Sequence, residues 1–207
     1  MDKAKKSQSY SRKLKGLEPI ISTILIIGVL SFASLMAYQW GMPMMEKNVD
    51  KTKLYNAETF LRTLDQKIDD VSKNGGSDQI VFDVPGEISV DPANEKIEFT
   101  LETTGSIYAP GGFACFSRNC DLAGGIWGQD TYSVLGAEVI QTNDRYAITK
   151  YELIFRNLSV GNYTYLRDIV TVSNTTIPGS KGTRILVTKV GEERGNPVKT
   201  IIKIDLL

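Results

Sequence analysis

The chain has 207 residues, 24 basic and 24 acidic side chains, two cysteines and no histidine. That inventory excludes Cys/His zinc centres and histidine-dependent catalysis at the outset. The charges are unevenly split: residues 1–16 carry six basic groups against one acidic, and the remainder is acidic by five, which argues against a nucleic-acid role.

Residues 1–16, rich in Ser and Lys, read as a disordered basic leader. Behind it, 27 positions between Glu18 and Glu46 carry no charge. As helix that run is roughly 40 Å long, enough to cross a bilayer core of about 30 Å. The basic leader before it predicts an N-terminus inside and everything after Met45 outside. Pro19 falls in the first turn of a helix expected to begin near Leu17, where a missing N–H costs little. Gly28, Ser31, Ala33, Ser34 and Ala37 permit close helix approach. Gly41 and Pro43 are expected to interrupt the helix just outside membrane depth.

Three readings fit the apolar run. A secretory signal peptide usually has about 7–15 apolar residues and ends at a small-x-small site, and neither holds here. A plain signal anchor would place Tyr38 and Trp40 at the outer interface. The third reading rests on Lys15-Gly16 standing immediately before the run: a cut there removes the charged leader and leaves an apolar helix as the new N-terminus.

From Glu46 the pattern changes. Leu54, Ala57, Leu61, Leu64, Ile68 and Val71 make a stripe at spacings of three and four, widened by Phe60, with Lys53, Glu58, Arg62, Asp65, Asp69 and Asp70 opposite. This predicts an amphipathic helix packed on the domain that follows, stopped by Asn74-Gly75-Gly76. Strands are expected at Gln79–Val84, at Glu87–Val90 and Lys96–Glu102 as a hairpin across Asp91-Pro92-Ala93-Asn94, at Tyr132–Gln141, and at Tyr146–Arg156 across Thr142-Asn143-Asp144-Arg145. Three more follow at Tyr163–Val172, Thr183–Val190 and Lys199–Leu207. About eight strands without an intervening helix imply an antiparallel sandwich or barrel, so the whole is an α+β chain.

Between them, Thr103 to Thr131 reads as a long irregular loop with Tyr108, Phe113, Phe116 and Trp127. Cys115 and Cys120 are expected to pin it with a disulfide in an oxidising exterior, and the aromatics to contact a neighbouring subunit or a surface ligand. Sequons begin at Asn157, Asn162 and Asn174, so glycosylation of at least one is expected. No catalytic motif is present: there is no Gly-x-Ser-x-Gly and no phosphate-binding loop, and the pairs Asp69-Asp70 and Glu192-Glu193 read as solvated. No enzyme, cofactor or metal is expected.

Lys15, Gly16 and Leu17, with the segment Gly-Leu-Glu-Pro-Ile-Ile-Ser-Thr-Ile-Leu-Ile that runs from Gly16 to Ile26, resemble the class III signal peptides of type IV pilins, and more closely those of archaeal pilin-like and archaellin-like proteins. The resemblance covers about residues 13 to 45. Bacterial type IV pilins carry glutamate at the fifth mature position, whereas here that position is Ile21 and Glu18 is the second. The resemblance implies a leader at 1–16 removed by a prepilin peptidase, a helical stem at 17–74 and an external β head at 77–207. It implies assembly through Glu18, Ile20, Ile24, Ile27 and Gly28 into a helical homo-oligomer at the cell surface. The precursor would wait in the cytoplasmic membrane, and the pilus assembly machinery would be the partner. A low-copy pilin-like accessory bound to the surface layer and an uncleaved anchored binding domain are the other two readings.

Overall fold

The computed structural model describes residues 3–143, 146–172 and 176–207, with side chains throughout these except at residues 3–18 and at Thr142. One helix, α1 (Lys3–Asn74), precedes twelve strands. The chain divides into two compact units, Met1–Glu46 and Lys47–Leu207, so the boundary falls within α1 rather than at its end.

In the first unit, helix covers Lys3 to Gly16, where a disordered leader was expected, because Lys, Ala, Gln, Arg and Leu are good helix formers. Pro19 and Pro43 lie inside the helix, and Gly41 and Pro43 do not end it. A single proline removes one N–H from a ladder of intact neighbours, which costs about 3 kcal/mol or more and does not by itself stop a long helix. The Thr23 hydroxyl donates to the Pro19 carbonyl at 2.7 Å.

The second unit is built around the amphipathic part of α1. Leu54, Ala57, Leu61, Leu64 and Ile68 are fully buried, so the predicted stripe is the face that enters the core. The helix stops at Asn74, where Gly75 and Gly76 adopt φ of 76° and 84°; the Gly75 N–H donates to the Val71 carbonyl at 2.8 Å. Those angles favour glycine, which has no Cβ to clash.

Two six-stranded sheets follow. The first contains β1 (Ser77–Val81), β11 (Arg184–Glu193), β12 (Val198–Leu206), β9 (Tyr163–Val170), β8 (Leu158–Val160) and β5 (Gly125–Ile126), in that spatial order. The second runs β10 (Ile177–Ser180), β2 (Glu87–Asp91), β3 (Lys96–Thr103), β7 (Ala147–Phe155), β6 (Ser133–Thr142) and β4 (Ala114–Cys115). Pairing is antiparallel except for β9 with β12 and β5 with β8, which are parallel, so the sheets are antiparallel-rich and the chain has the expected α+β fold. The four strands missed in sequence, β4, β5, β8 and β10, are two to four residues long.

The expected β2–β3 hairpin forms, with Glu87 opposite Thr100 and Asp91 opposite Lys96. Its turn is held by the Asp91 carboxylate, which accepts from the Ala93 and Asn94 N–H groups and from the Asn94 side chain. The turn residues Asp144 and Arg145 of the next hairpin lie outside the described residues. Ile97, Phe99 and Leu101 of the second sheet and Ile185, Val187, Ile202 and Ile204 of the first meet the α1 stripe in one core. Phe60, Phe82, Phe99 and Tyr151 run through it with ring centroids 5.1, 5.2 and 5.7 Å apart. Polar ties fix the helix to both sheets: Tyr151 donates to the Leu54 carbonyl at 2.9 Å, and Lys189 donates to the Ser72 carbonyl at 2.9 Å. Asp50 accepts from the Thr104 N–H and hydroxyl; burial opposes its ionisation, but these bonds and Lys53 hold its carboxyl below the usual range.

Candidate functional site

Two features of the chain are unexplained by the core. The first is the apolar part of α1. Ile20, Ile24 and Ile27 are all exposed, Ile24 at 65% and Trp40 at 80%, and a Cβ added at Gly28 would touch nothing within 4 Å. The helix over Pro19–Asn74 contains a stretch long and apolar enough to cross a membrane, and none of that apolar window is buried. Such a surface in water is costly, at about 25 cal/mol per Å2 of apolar area. Lys15, Gly16, Leu17 and Glu18 lie in helical backbone, and their side chains are outside the described residues.

The second feature is a cleft of about 630 Å3 in the head, between the polar face of α1 and the loop from Phe116 to Leu135. The helix contributes Arg62, Asp65, Asp69 and Lys73, which the spacing of three and four places along one face. The sheets contribute two buried arginines. Arg167 has a side chain only 2% exposed; it donates to Asp69 at 2.5 Å and lies 4.0 Å over the Tyr132 ring. Arg156, 1% exposed, donates through Nε to the Thr131 carbonyl and through Nη1 to the Asp121 carbonyl. Its Nη2 has no hydrogen-bond partner, the nearest carboxylate oxygen being on Asp130 at 3.9 Å. From α1, Asp65 also lines the cleft, and its buried Oδ1 has no hydrogen-bond partner among the described residues.

The carboxylates of this cleft diverge. Burial pushes the Asp65 carboxyl above the usual range, against the Ser133 hydroxyl and the Arg167 charge. Burial also opposes ionisation at Asp69, one turn on, but Lys73 and Arg167 bond to it and hold it below that range. Asp130 is lowered by the Ile126 N–H first and by Asn119 second. Burial pushes the Tyr132 hydroxyl up to about 12.

The loop that closes the cleft holds the Cys115–Cys120 disulfide, with Cα atoms 6.1 Å apart. Its aromatics divide in two. Tyr108 and Phe116 pack on the core, and Arg62 caps Phe116 at 5.9 Å. Phe113 lies against Gly136, where any Cβ would meet its ring at 2.3 Å, and keeps a third of its surface exposed. Trp127, 42% exposed, stacks on Tyr165 at 4.3 Å and meets Tyr132 edge-on at 5.3 Å.

Of the sequon asparagines, Asn157 and Asn162 are exposed beside β8 and β9, and Asn174 lies outside the described residues. The sequence reading missed Arg156, Arg167 and Asp130 as a cluster. One signal was present: Arg167 shares its strand face with Ile169, a parity that points inward. No family model, curated protein or solved structure matches the chain.

Proposed function

We propose that this chain is a structural subunit of an archaeal type IV pilus-like surface filament. The observation that carries the proposal is the helix surface from Pro19 to Met45, apolar all round and uncovered, joined in sequence to a basic leader with the Lys15-Gly16 junction. A bilayer covers such a surface before assembly; equivalent helices of other copies cover it afterwards. Leader removal at Gly16 would free the helix to leave the membrane, with Glu18 near the new terminus and Ile20, Ile24, Ile27 and Gly28 packing between copies. The β heads, with glycans at Asn157, Asn162 or Asn174, would form the outer sheath.

The test is the N-terminal residue of protein sheared from native cells, read by mass spectrometry. A start at Leu17 in sheared material is the expected result, and an intact Met1 overturns it in favour of an anchored surface domain. Leu17 found only in membranes identifies a low-copy accessory instead. A Gly16→Phe variant should accumulate as full-length precursor in the membrane; normal surface assembly of that variant refutes processing at this junction.

A further inference from the structure

The cleft lies wholly in the unit Lys47–Leu207, and its chemistry points to a ligand of its own. Its lining includes one buried donor and one buried acceptor that lack a hydrogen-bond partner among the described residues, the Nη2 of Arg156 and the Oδ1 of Asp65. Unmet groups of this kind cost about 1–3 kcal/mol each and are rare in folded interiors. A carboxylate would answer Arg156 but has no proton for Asp65, and a phosphate or any other anion would face Asp69 and Asp130. A hydroxyl donates and accepts at once, so a polyhydroxylated molecule can answer both walls. Between them Trp127 offers an indole surface held rigid by Tyr165 and Tyr132 and open to solvent. Such a platform suits the C–H face of a saturated ring whose rim carries hydroxyls. The cleft volume, about 630 Å3, matches a ligand of two or three such rings.

We infer that the cleft bounded by Asp65, Arg156 and Trp127 binds a neutral saccharide. The inference does not depend on polymerisation: the cleft lies wholly in the unit Lys47–Leu207. Preformed pairing of Arg167 with Asp69 and Tyr132 keeps the floor rigid, so binding does not have to order it.

The experiment uses the full chain in detergent with Trp40→Phe, which leaves Trp127 as the single tryptophan reporter. Its emission is titrated with maltotriose, mannotriose and chitotriose, then with a trigalacturonate, sulfate and the tripeptide Ala-Ser-Ala. The expected result is a saturable response to at least one neutral trisaccharide in the micromolar to millimolar range. Calorimetry on the full chain with native Trp40 should then show at least tenfold weaker binding for Trp127→Ala and for Asp65→Leu. Asp65→Asn, which keeps the shape and an acceptor oxygen, should retain most of it. Unchanged near-ultraviolet dichroism in each variant separates lost binding from lost fold. Response to none of the neutral sugars overturns the inference. So does saturation by sulfate or trigalacturonate alone, by the tripeptide, or binding that survives both Trp127→Ala and Asp65→Leu. Competition by glycan released from the native protein assigns the sugar to a neighbouring copy, and its failure to compete, beside a bound trisaccharide, assigns it to an external polysaccharide.

Discussion

Helix α1 carries two apolar stretches built from much the same residue types, yet Ile24 is 65% exposed while Ile68 is fully buried. Around Ile68 the apolar residues occupy one face, and Arg62, Asp65, Asp69 and Asp70 occupy the other, so the segment can satisfy a core and water together. Around Ile24 no face is charged. That segment has no side to offer water, and a medium that surrounds it completely is its physical counterpart. The same polar face that lets residues 54–71 sit on a head domain supplies one wall of the cleft, whereas the stem has only shape and apolar area to recognise a partner with.

The difference can be broken experimentally. Leu64→Ala, at a fully buried position, should destabilise the head by about 2–5 kcal/mol, read as a drop in the melting temperature of the detergent-solubilised chain. Next is the Asp69–Arg167 pair, whose partners are unequally buried, 33% and 2% exposed. Asp69→Ala leaves a buried guanidinium uncompensated and should cost about 3 kcal/mol; Arg167→Met leaves a half-exposed carboxylate still bonded to Lys73 and should cost less. Equal losses in the two melts would refute that asymmetry. Removing the disulfide with Cys115→Ser and Cys120→Ser should cost about 2 kcal/mol, the value for closing so short a ring, measured by denaturant unfolding.

Acid sharpens the contrast within one helix face. Asp69 is held below its unfolded value, so its contribution is present above about pH 4 and is lost as the pH falls through the folded value. Asp65 is shifted the other way: its penalty is absent below about pH 4 and grows as the pH rises toward its folded value. Asp65→Asn should therefore raise the melting temperature at neutral pH relative to acid, and Asp69→Asn should lower it. The smallest effect is expected in the stem. Ile24→Ala lies in the unit Met1–Glu46 at an exposed position and should leave the melt of the other unit unchanged.

Much of the head was legible because local periods carried it. The three-four spacing from Leu54 to Val71 encodes the buried face, and alternation in Lys96–Leu101 encodes the inner face of β3. What escaped had no local period. Strands of two residues such as β4 and β5 are too short to show a period, and the parallel match of Val198 with Tyr165 joins segments whose register leaves no mark in either. The cleft escaped for another reason. Composition marks Arg156 and Arg167 as solvent-seeking, and only the fold brings Asp69, Tyr132 and backbone carbonyls close enough to take them inside.

Strand β12 lies between β11 and β9 within its sheet, although it comes from Val198–Leu206. A ribosome makes the stem about 150 residues before it makes that strand, which at about 5–20 residues per second is about 8–30 s. During that interval β9 has no parallel partner and Ile169 no sheet neighbour at Ile202. Vectorial synthesis therefore presents the apolar stem to its surroundings while the head is still an open chain. The unit Lys47–Leu207 completes its first sheet only once its last strand has been made.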